Sequence, residues 1–322
     1  MPAIPQANKS LISVVTPVYN EEENIQEFYR ALTSAVAREE GRYDFEMIFT
    51  DNHSTDLTFV RLKELATSDP RVRVLRFSRN FGYQKSILTG YLNANGVAAI
   101  QLDCDLQDPP ELIGAFLREW EKGIQVVYGI RRTRAEAALN QLVRRTFYRF
   151  LDLLSAYPIP HDAGDFRLID RRIIEELRKS RDTNPYIRGR IALMGFNQCG
   201  IPYDRVARKR GMTKFSLSKL IGLAIDGIVS HSVVPLRLAT VLGLLAIGGS
   251  FIGALSLVFA KLLFGQDWPS GFATIVVLIL FGIGVQSLIL GIMGEYVARI
   301  YEQLKMSPDA IIEVRIPDDH LA

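Results

Sequence analysis

Along the first part of the chain, apolar and polar positions switch between two periods. Short β-branched runs at residues 11–16, 45–50, 72–77, 97–102 and 126–129 read as buried strands. Between them, apolar residues recur three and four apart and predict helices from Asn20 to about Arg38, and over 59–66, 83–92 and 110–121. Asn20 is the expected cap of the first helix, with Glu23 at the capping-box position. Strands alternating with helices imply right-handed crossovers and a mostly parallel sheet with helices on both faces, so the predicted class is α/β.

Further on, a helix is expected over 136–154, another over 186–194 and an extended segment over 198–203. Residues 217–234 carry apolar side chains at helical spacing, with Lys219, Asp226 and His231 elsewhere, as an interfacial helix would. Residues 238–260 and 272–294 then run without a charged residue. Each exceeds the roughly 20 apolar residues that cross a bilayer, so a transmembrane hairpin is expected. The connector 264–271 has no Lys or Arg, whereas Arg208, Lys209, Arg210, Lys214, Lys219, Arg237, Arg299 and Lys305 lie outside the pair. That bias places both termini in the cytoplasm of a multi-pass protein, and no apolar signal core precedes residue 10. The expected division is a cytosolic domain over 1–215, an interfacial helix over 216–235, a hairpin over 236–296 (spans about 236–263 and 272–296) and a cytosolic tail over 297–322. Gly249 and Gly253 form a small-xxx-small pattern that fits packing within the hairpin or between subunits of a homo-oligomer.

The composition is 48% hydrophobic with a mean hydropathy of +0.11, and that surplus sits in the two uncharged stretches. A net charge of +3 without interleaved basic and aromatic residues argues against nucleic acid as a partner. Two cysteines, Cys104 and Cys199, make neither a disulfide framework nor a metal spacing. No Gly-x-Gly-x-x-Gly or Walker pattern follows the first strand, so a nucleotide here has to be held by base and ribose contacts with a metal on its phosphates.

The chemistry-bearing residues follow the strands directly: Pro17 to Asn20, Asp51 to Asp56, Ser78 to Asn80 and Asp103 to Asp108. Ligands of parallel sheets sit at this edge. In an extended chain Asp103, Asp105 and Gln107 point the same way. Two carboxylates and an amide oxygen form a hard, all-oxygen site suited to Mg²⁺ or Mn²⁺, ions that keep waters and share a substrate's phosphates. Asp162 and Asp165 fit either turn-forming caps or site residues, and the run Arg205, Arg208, Lys209, Arg210 fits either flanking charge or an anionic headgroup site.

Taken together, Val15-Thr16-Pro17-Val18-Tyr19-Asn20-Glu21-Glu22, Asp51, Ser78-Arg79-Asn80-Phe81-Gly82, Asp103-Cys104-Asp105-Leu106-Gln107-Asp108-Pro109-Pro110, Asp162-Ala163-Gly164-Asp165-Phe166-Arg167 and Arg208-Lys209-Arg210-Gly211-Met212-Thr213-Lys214-Phe215, with the hairpin, resemble one family. It is that of the family-2, GT-A-fold membrane glycosyltransferases that charge a polyprenyl phosphate, the bactoprenol glucosyltransferase group above all and dolichol-phosphate mannose synthases beside it. The resemblance covers nearly the whole chain, and Thr213 stands where the family usually has Ser. It implies that Pro17, Tyr19, Glu22, Asp51 and Asp103 hold the nucleotide, that Asp103, Asp105 and Gln107 hold the metal, and that Arg131, Arg208 and Lys214 hold the acceptor phosphate. Arg132 is the rival for the place of Arg131. Asp105, Asp162 and Asp165 are the catalytic candidates. The implied reaction is inverting transfer of a hexose, glucose from UDP-glucose as the favoured donor, to undecaprenyl or a similar polyprenyl phosphate at the cytosolic face. A processive polysaccharide synthase would carry Gln-x-x-Arg-Trp and more membrane helices, and neither is in the sequence. A non-catalytic membrane adaptor would have a broken acidic motif, which here is intact.

Overall fold

The computed structural model describes residues 9–131, 163–179, 187–204, 271–304 and 310–317, with isolated positions between 239 and 263. Eight strands form one sheet: β1 (Ser10–Val18), β2 (Tyr43–Asp51), β3 (Val72–Phe77), β4 (Ala98–Gln101), β5 (Val126–Arg131), β6 (Ala163–Asp170), β7 (Gln198–Tyr203) and β8 (Ile312–Ile316), in the order β7-β5-β6-β4-β1-β2-β3-β8. Strands β4, β1, β2 and β3 run parallel, as do β5 and β7, while β6 lies antiparallel between β4 and β5 and β8 antiparallel on β3.

Alternation along β1 sends Val14 to one face and Val15 to the other, and each face carries its own core. The Val14 face packs α1 (Ile25–Ala37), α2 (Thr58–Ser68) and α4 (Ile113–Glu121) through Phe28, Leu62 and Phe116. The Val15 face packs α3 (Tyr83–Leu92), α5 (Arg171–Lys179) and α6 (Ile187–Leu193) through Tyr91, Ile173 and Ile187. Burying both faces explains why the strands read as continuous apolar runs. Because α1 and α2 lie on one side and α3 on the other, the winding reverses between β1 and β4, where a doubly wound sheet opens a crevice.

Helix α3 and strands β3 and β7 coincide with the expected ranges, whereas other parts differ for identifiable reasons. Asn20 does not cap α1: it sits at φ +53°, its side chain is used elsewhere, and the helix begins at Ile25 after Asn24, which makes no side-chain cap. Strand β6 escaped the periodicity reading because its alternate positions, Asp165 and Arg167, are charged yet buried. Helix α5 follows it directly, and β8 arrives from the far end of the chain. The last helix, α7 (Phe272–Leu304), runs beyond the uncharged stretch into the segment expected to be tail, since residues 295–304 contain no Gly or Pro to end it.

The chain divides into a sheet unit, Met1–Arg145, Tyr157–Lys214 and Ser307–Ala322, and a helical unit, Thr146–Ala156 and Phe215–Met306. Within the helical unit, the Phe281–Ala298 part of α7 is long and apolar enough to cross a membrane, and Phe281, Ile283, Leu288 and Leu290 are exposed. The helix expected over 136–154, the interfacial helix over 217–234 and most of the first apolar stretch lie outside the described residues.

At the amino end of the sheet, Glu46 is a buried polar hub. Its carboxylate accepts from Ser13 Oγ at 2.5 Å and Asn95 N–H at 2.6 Å, and pairs with Arg73 Nη1 at 2.8 Å, so one side chain ties β1, β2, β3 and the turn before β4. Removing one partner of such a pair leaves a buried uncompensated charge. Glu46→Ala is therefore expected to lower stability by roughly 3 kcal/mol, read as a fall in thermal unfolding midpoint of several degrees; an unchanged midpoint would show that Glu46 is dispensable.

Candidate active site

The loops at the carboxyl ends of β1 to β4 are stitched into a continuous rim. Asn20 N–H donates to Ser54 Oγ at 3.0 Å, Thr55 N–H donates to Asn20 Oδ1 at 2.9 Å, and Glu21 N–H donates to Thr58 Oγ1 at 2.8 Å. Leu57 N–H donates to Glu22 Oε2 at 2.9 Å and Arg61 Nη1 to the Glu22 carbonyl at 2.6 Å, so Glu22 joins the first two loops. Asn52 Oδ1 accepts from Phe81 N–H at 2.8 Å and ties the second loop to the third. There Gly82, at φ +92°, lets Asn80 Oδ1 cap the turn into α3, while the Arg79 guanidinium stacks 4.1 Å over the Phe81 ring.

Pro17 lies opposite Thr50 at the end of β1. Val15 O accepts from Leu102 N–H at 3.0 Å, so β1 still bonds toward β4 there; two residues on, Pro17 has no N–H to give on that side, and β4 has turned away. The crevice between β1 and β4 therefore opens where the acidic loop begins. Among the described residues, Thr16 Oγ1, Asp51 Oδ2 and Gln101 Oε1 at this edge are buried side-chain atoms without a hydrogen-bond partner. Asp51 is fully buried, its Oδ1 accepts from Ser54 N–H at 3.0 Å, and Arg76 Nε stands 3.7 Å from the orphaned Oδ2. Burial raises its pKa above the ordinary aspartate value, as befits a carboxylate awaiting a donor. Tyr19, next along the rim, is 46% exposed.

Residues 104–108 form turns and bends rather than a continuing strand, which corrects the geometric premise of the sequence reading: β4 ends at Gln101, and Leu106 takes φ +56°. In the loop that follows, Gln107 N–H donates to Asp105 Oδ1 at 3.1 Å. Asp103 Oδ1 accepts from Tyr83 Oη at 2.6 Å and from Gln101 Nε2 at 2.7 Å, both neutral donors. Burial first, and then the charges of Asp108, Asp165 and Asp105, push the Asp103 pKa up to about 7 against the lowering hydrogen bond from Tyr83.

The other two acids of the cluster are matched by arginines. Asp165 on β6 takes a bidentate pair from Arg188 on α6, with Nε–Oδ1 and Nη2–Oδ2 both at 2.7 Å. Asp108, 1% exposed, accepts a short hydrogen bond from Tyr203 Oη and lies 3.5 Å from Arg131 Nη2. Asp162, Arg132, Arg208 and Lys214 lie outside the described residues.

The model of Glycosyl transferase family 2 matches residues 13–178, which span this rim. A relative from Bacillus subtilis (strain 168), the uncharacterized glycosyltransferase YkcC, is 38% identical over 302 residues, 94% of this chain and 93% of its own. The chain belongs to glycosyl transferase family 2. The bactoprenol glucosyl transferase of Shigella phage SfII is 36% identical over 303 residues, 94% of this chain and 97% of its own. Among solved structures, the mannosyltransferase PcManGT from Pyrobaculum calidifontis in complex with GDP-Man and Mn2+ is similar with a TM-score of 0.46 at 19% identity, over 90% of this chain and 87% of that one. The sheet is accordingly of the GT-A type.

For a family-2 transferase the acidic loop has a fitting donor set. Among the described residues no three His, Cys, Asp or Glu side chains form a cage, so Asp103 and Asp105 with Gln107 would leave coordination positions for water and substrate oxygens, as Mg²⁺ prefers. The crowded carboxylates that raise the Asp103 pKa are those a divalent cation would relieve. Sequence reasoning passed over Tyr83, Asp108, Arg188 and Tyr203. The first and last look like ordinary core aromatics, and Arg188 sits in a helix with no acidic partner nearby in sequence.

The Arg188 pair also changes the standing of Asp165. Burial acts to raise its pKa, but the Arg188 hydrogen bonds and charge outweigh it and hold the carboxyl below the ordinary aspartate value, unlike a proton acceptor poised near neutrality. Asp165→Asn is expected to cost about 2 kcal/mol at neutral pH, discounted for the 33% exposure of Arg188. Because the folded pKa is depressed, that difference is fully present above the ordinary pKa of about 4 and shrinks as pH falls through the folded value. Urea titrations of both proteins from pH 7 to pH 3 measure it, and a gap that stays constant with pH would refute the ion-pair account.

Proposed function

We propose that this protein transfers a hexose, glucose from UDP-glucose as the favoured donor, to a polyprenyl phosphate at the cytosolic membrane face, with inversion at the sugar carbon. The reading rests on full-length similarity to bactoprenol glucosyl transferases, 36% identical across 94% of the chain, combined with an anion-rich crevice suited to a metal-bound diphosphate. Asp51, Pro17, Tyr19 and Glu22 line or brace the nucleoside side of that crevice. The orphaned Asp51 Oδ2 would accept from a base or ribose donor.

Asp103, Asp105 and Gln107 would hold Mg²⁺ or Mn²⁺, which when bound would offset the charge gathering on the leaving diphosphate. Arg131, with Arg208 and Lys214, would hold the acceptor phosphate. A phosphate monoester has a second pKa near ~6, so at neutral pH it is already mostly a dianion. Its oxygen attacks the anomeric carbon, a new carbon–oxygen bond forms, and the bond to the diphosphate breaks with its electron pair leaving on the nucleoside diphosphate. No proton has to be removed first, so Asp165 can serve Arg188 rather than act as a base, and Asp162 is assigned to the acceptor loop.

The sheet itself supports the hairpin topology. Strands β7 and β8 pair within one sheet, and the apolar α7 lies between them in the chain. A single crossing would leave those two strands on opposite sides of the bilayer, so any crossings come in an even number; the uncharged stretch 238–260 is the natural second span. Such an anchor would keep the lipid phosphate within reach of the crevice while the polyprenyl tail stays in the bilayer.

Purified full-length protein supplied with polyprenyl phosphate and a panel of radiolabelled nucleotide sugars should move label into organic-extractable lipid, and chelator should stop it. Asp105→Ala should reduce transfer by at least ~10³-fold while the protein still inserts into membranes. Label in a soluble polymer would favour a processive synthase, and full activity of Asp105→Ala would sink the metal-assisted mechanism.

A further inference from the structure

Arg131 ends β5 opposite Tyr203 of β7 in the parallel register, and its guanidinium is gripped along one edge. Arg131 Nε donates to Tyr203 Oη at 3.2 Å, Nη2 faces Asp108 Oδ2 at 3.5 Å, and Tyr203 Oη in turn donates to Asp108 Oδ1. The three groups form a closed triangle in which each contacts the other two. From it we infer that Asp108 and Tyr203 are positioning residues that aim Arg131 at the acceptor phosphate, an inference that rests on the acceptor-site reading of Arg131 given above.

Several independent features are built around this triangle. The Asp108 side chain is 1% exposed, whereas 31% of the Arg131 side chain is exposed, so the anion is sunk behind the cation and the cation faces outward. The guanidinium lies against Gly164, where a β-carbon would stand 2.9 Å from Nη2, so a larger residue there would displace it. The Tyr203 ring is locked edge-on to Phe166, with centroids 6.0 Å apart at 89°, and Gly129 leaves room for it, since a β-carbon there would meet the ring at 2.6 Å. Two glycines and an aromatic contact thus fix a hydroxyl and a guanidinium together.

The placement couples two halves of the chemistry. Asp108 follows Gln107 directly in the loop that carries Asp103 and Asp105, so the side chain that orients the acceptor cation belongs to the segment proposed to bind the donor's metal. Arg131 stays protonated although burial works against its charge, because Asp108 and Tyr203 outweigh it and Asp103 adds to them. With Nε and Nη2 engaged by Tyr203 and Asp108, the guanidinium is held in one orientation, with its planar fork available for phosphate recognition. The lipid phosphate would then be held at a distance from the diphosphate that the loop itself sets.

Calorimetric titration of full-length protein in detergent with farnesyl phosphate, a short polyprenyl monophosphate, tests this without turnover. Tyr203→Phe keeps the ring and deletes only the hydroxyl, and it is expected to weaken farnesyl phosphate binding on the order of ten-fold while nucleotide-sugar binding holds. Asp108→Asn should act in the same direction, and it carries the test should Tyr203→Phe unfold. In turnover, the lipid KM should rise with kcat at saturating lipid retained, a split that general loosening of the sheet would not give. Arg131→Ala is the benchmark: loss of lipid binding there with wild-type binding in both Tyr203→Phe and Asp108→Asn overturns the positioning role alone. Wild-type lipid binding in Arg131→Ala overturns the acceptor-site reading beneath it.

Discussion

Four aspartates, Asp103, Asp105, Asp108 and Asp165, share one end of a sheet, and the organisation of the site follows from how their charge is tolerated. Burying a carboxylate is costly unless it is paired and hydrogen-bonded. Asp165 is answered by the fork of Arg188, and Asp108 by Arg131 with Tyr203. Among the described residues Asp103 accepts from the neutral donors Tyr83 and Gln101, and burial followed by the neighbouring carboxylates raises its pKa. Arginines thus answer Asp165 and Asp108, whereas the carboxyl of Asp103 is met by neutral donors.

That electrostatic arrangement works only if the loops stay in place, and the rim explains how they do. Backbone N–H groups of one loop donate to side-chain oxygens of the next, through Asn20, Glu22, Ser54, Asp51 and Asn52. Positive-φ positions at Asn20, His53, Gly82 and Leu106 fold each loop back over the strand it follows. The rim is therefore assembled before any ligand arrives, so less ordering free energy has to come from binding. The same logic gives Glu22 a reason to be acidic beyond any contact with a nucleotide, since its carboxylate caps Leu57 N–H and its carbonyl anchors Arg61.

The sheet's two outer strands, β7 and β8, come from either side of the apolar helix in the chain. By adding β8 to the β3 edge, the chain covers a row of unpaired backbone groups that would otherwise invite association. The same pairing ties the segment after the apolar helix to the sheet, so that helix is an insertion between two strands of one sheet rather than an appended tail.

Much of this was legible in the chain alone. Local periodicity is enough to find a parallel strand buried on both faces, and β1 to β5 with α3 lay within or close to their expected ranges. The second uncharged stretch was legible as a long apolar helix, and the polar stretches behind the strands as loops at one sheet edge, because both signals are carried by consecutive residues. What only the tertiary structure decided is how charges distant in sequence are paired. β6 hides as a polar loop until Arg188 and the site bury its Asp165, Asn20 looks like a helix cap until Thr55 claims its side chain, and Tyr203 looks like core until Asp108 and Arg131 close around its hydroxyl. Periodicity records which side of an element faces water, but the partner of a buried charge is set by folding, which joins residues that no local pattern relates.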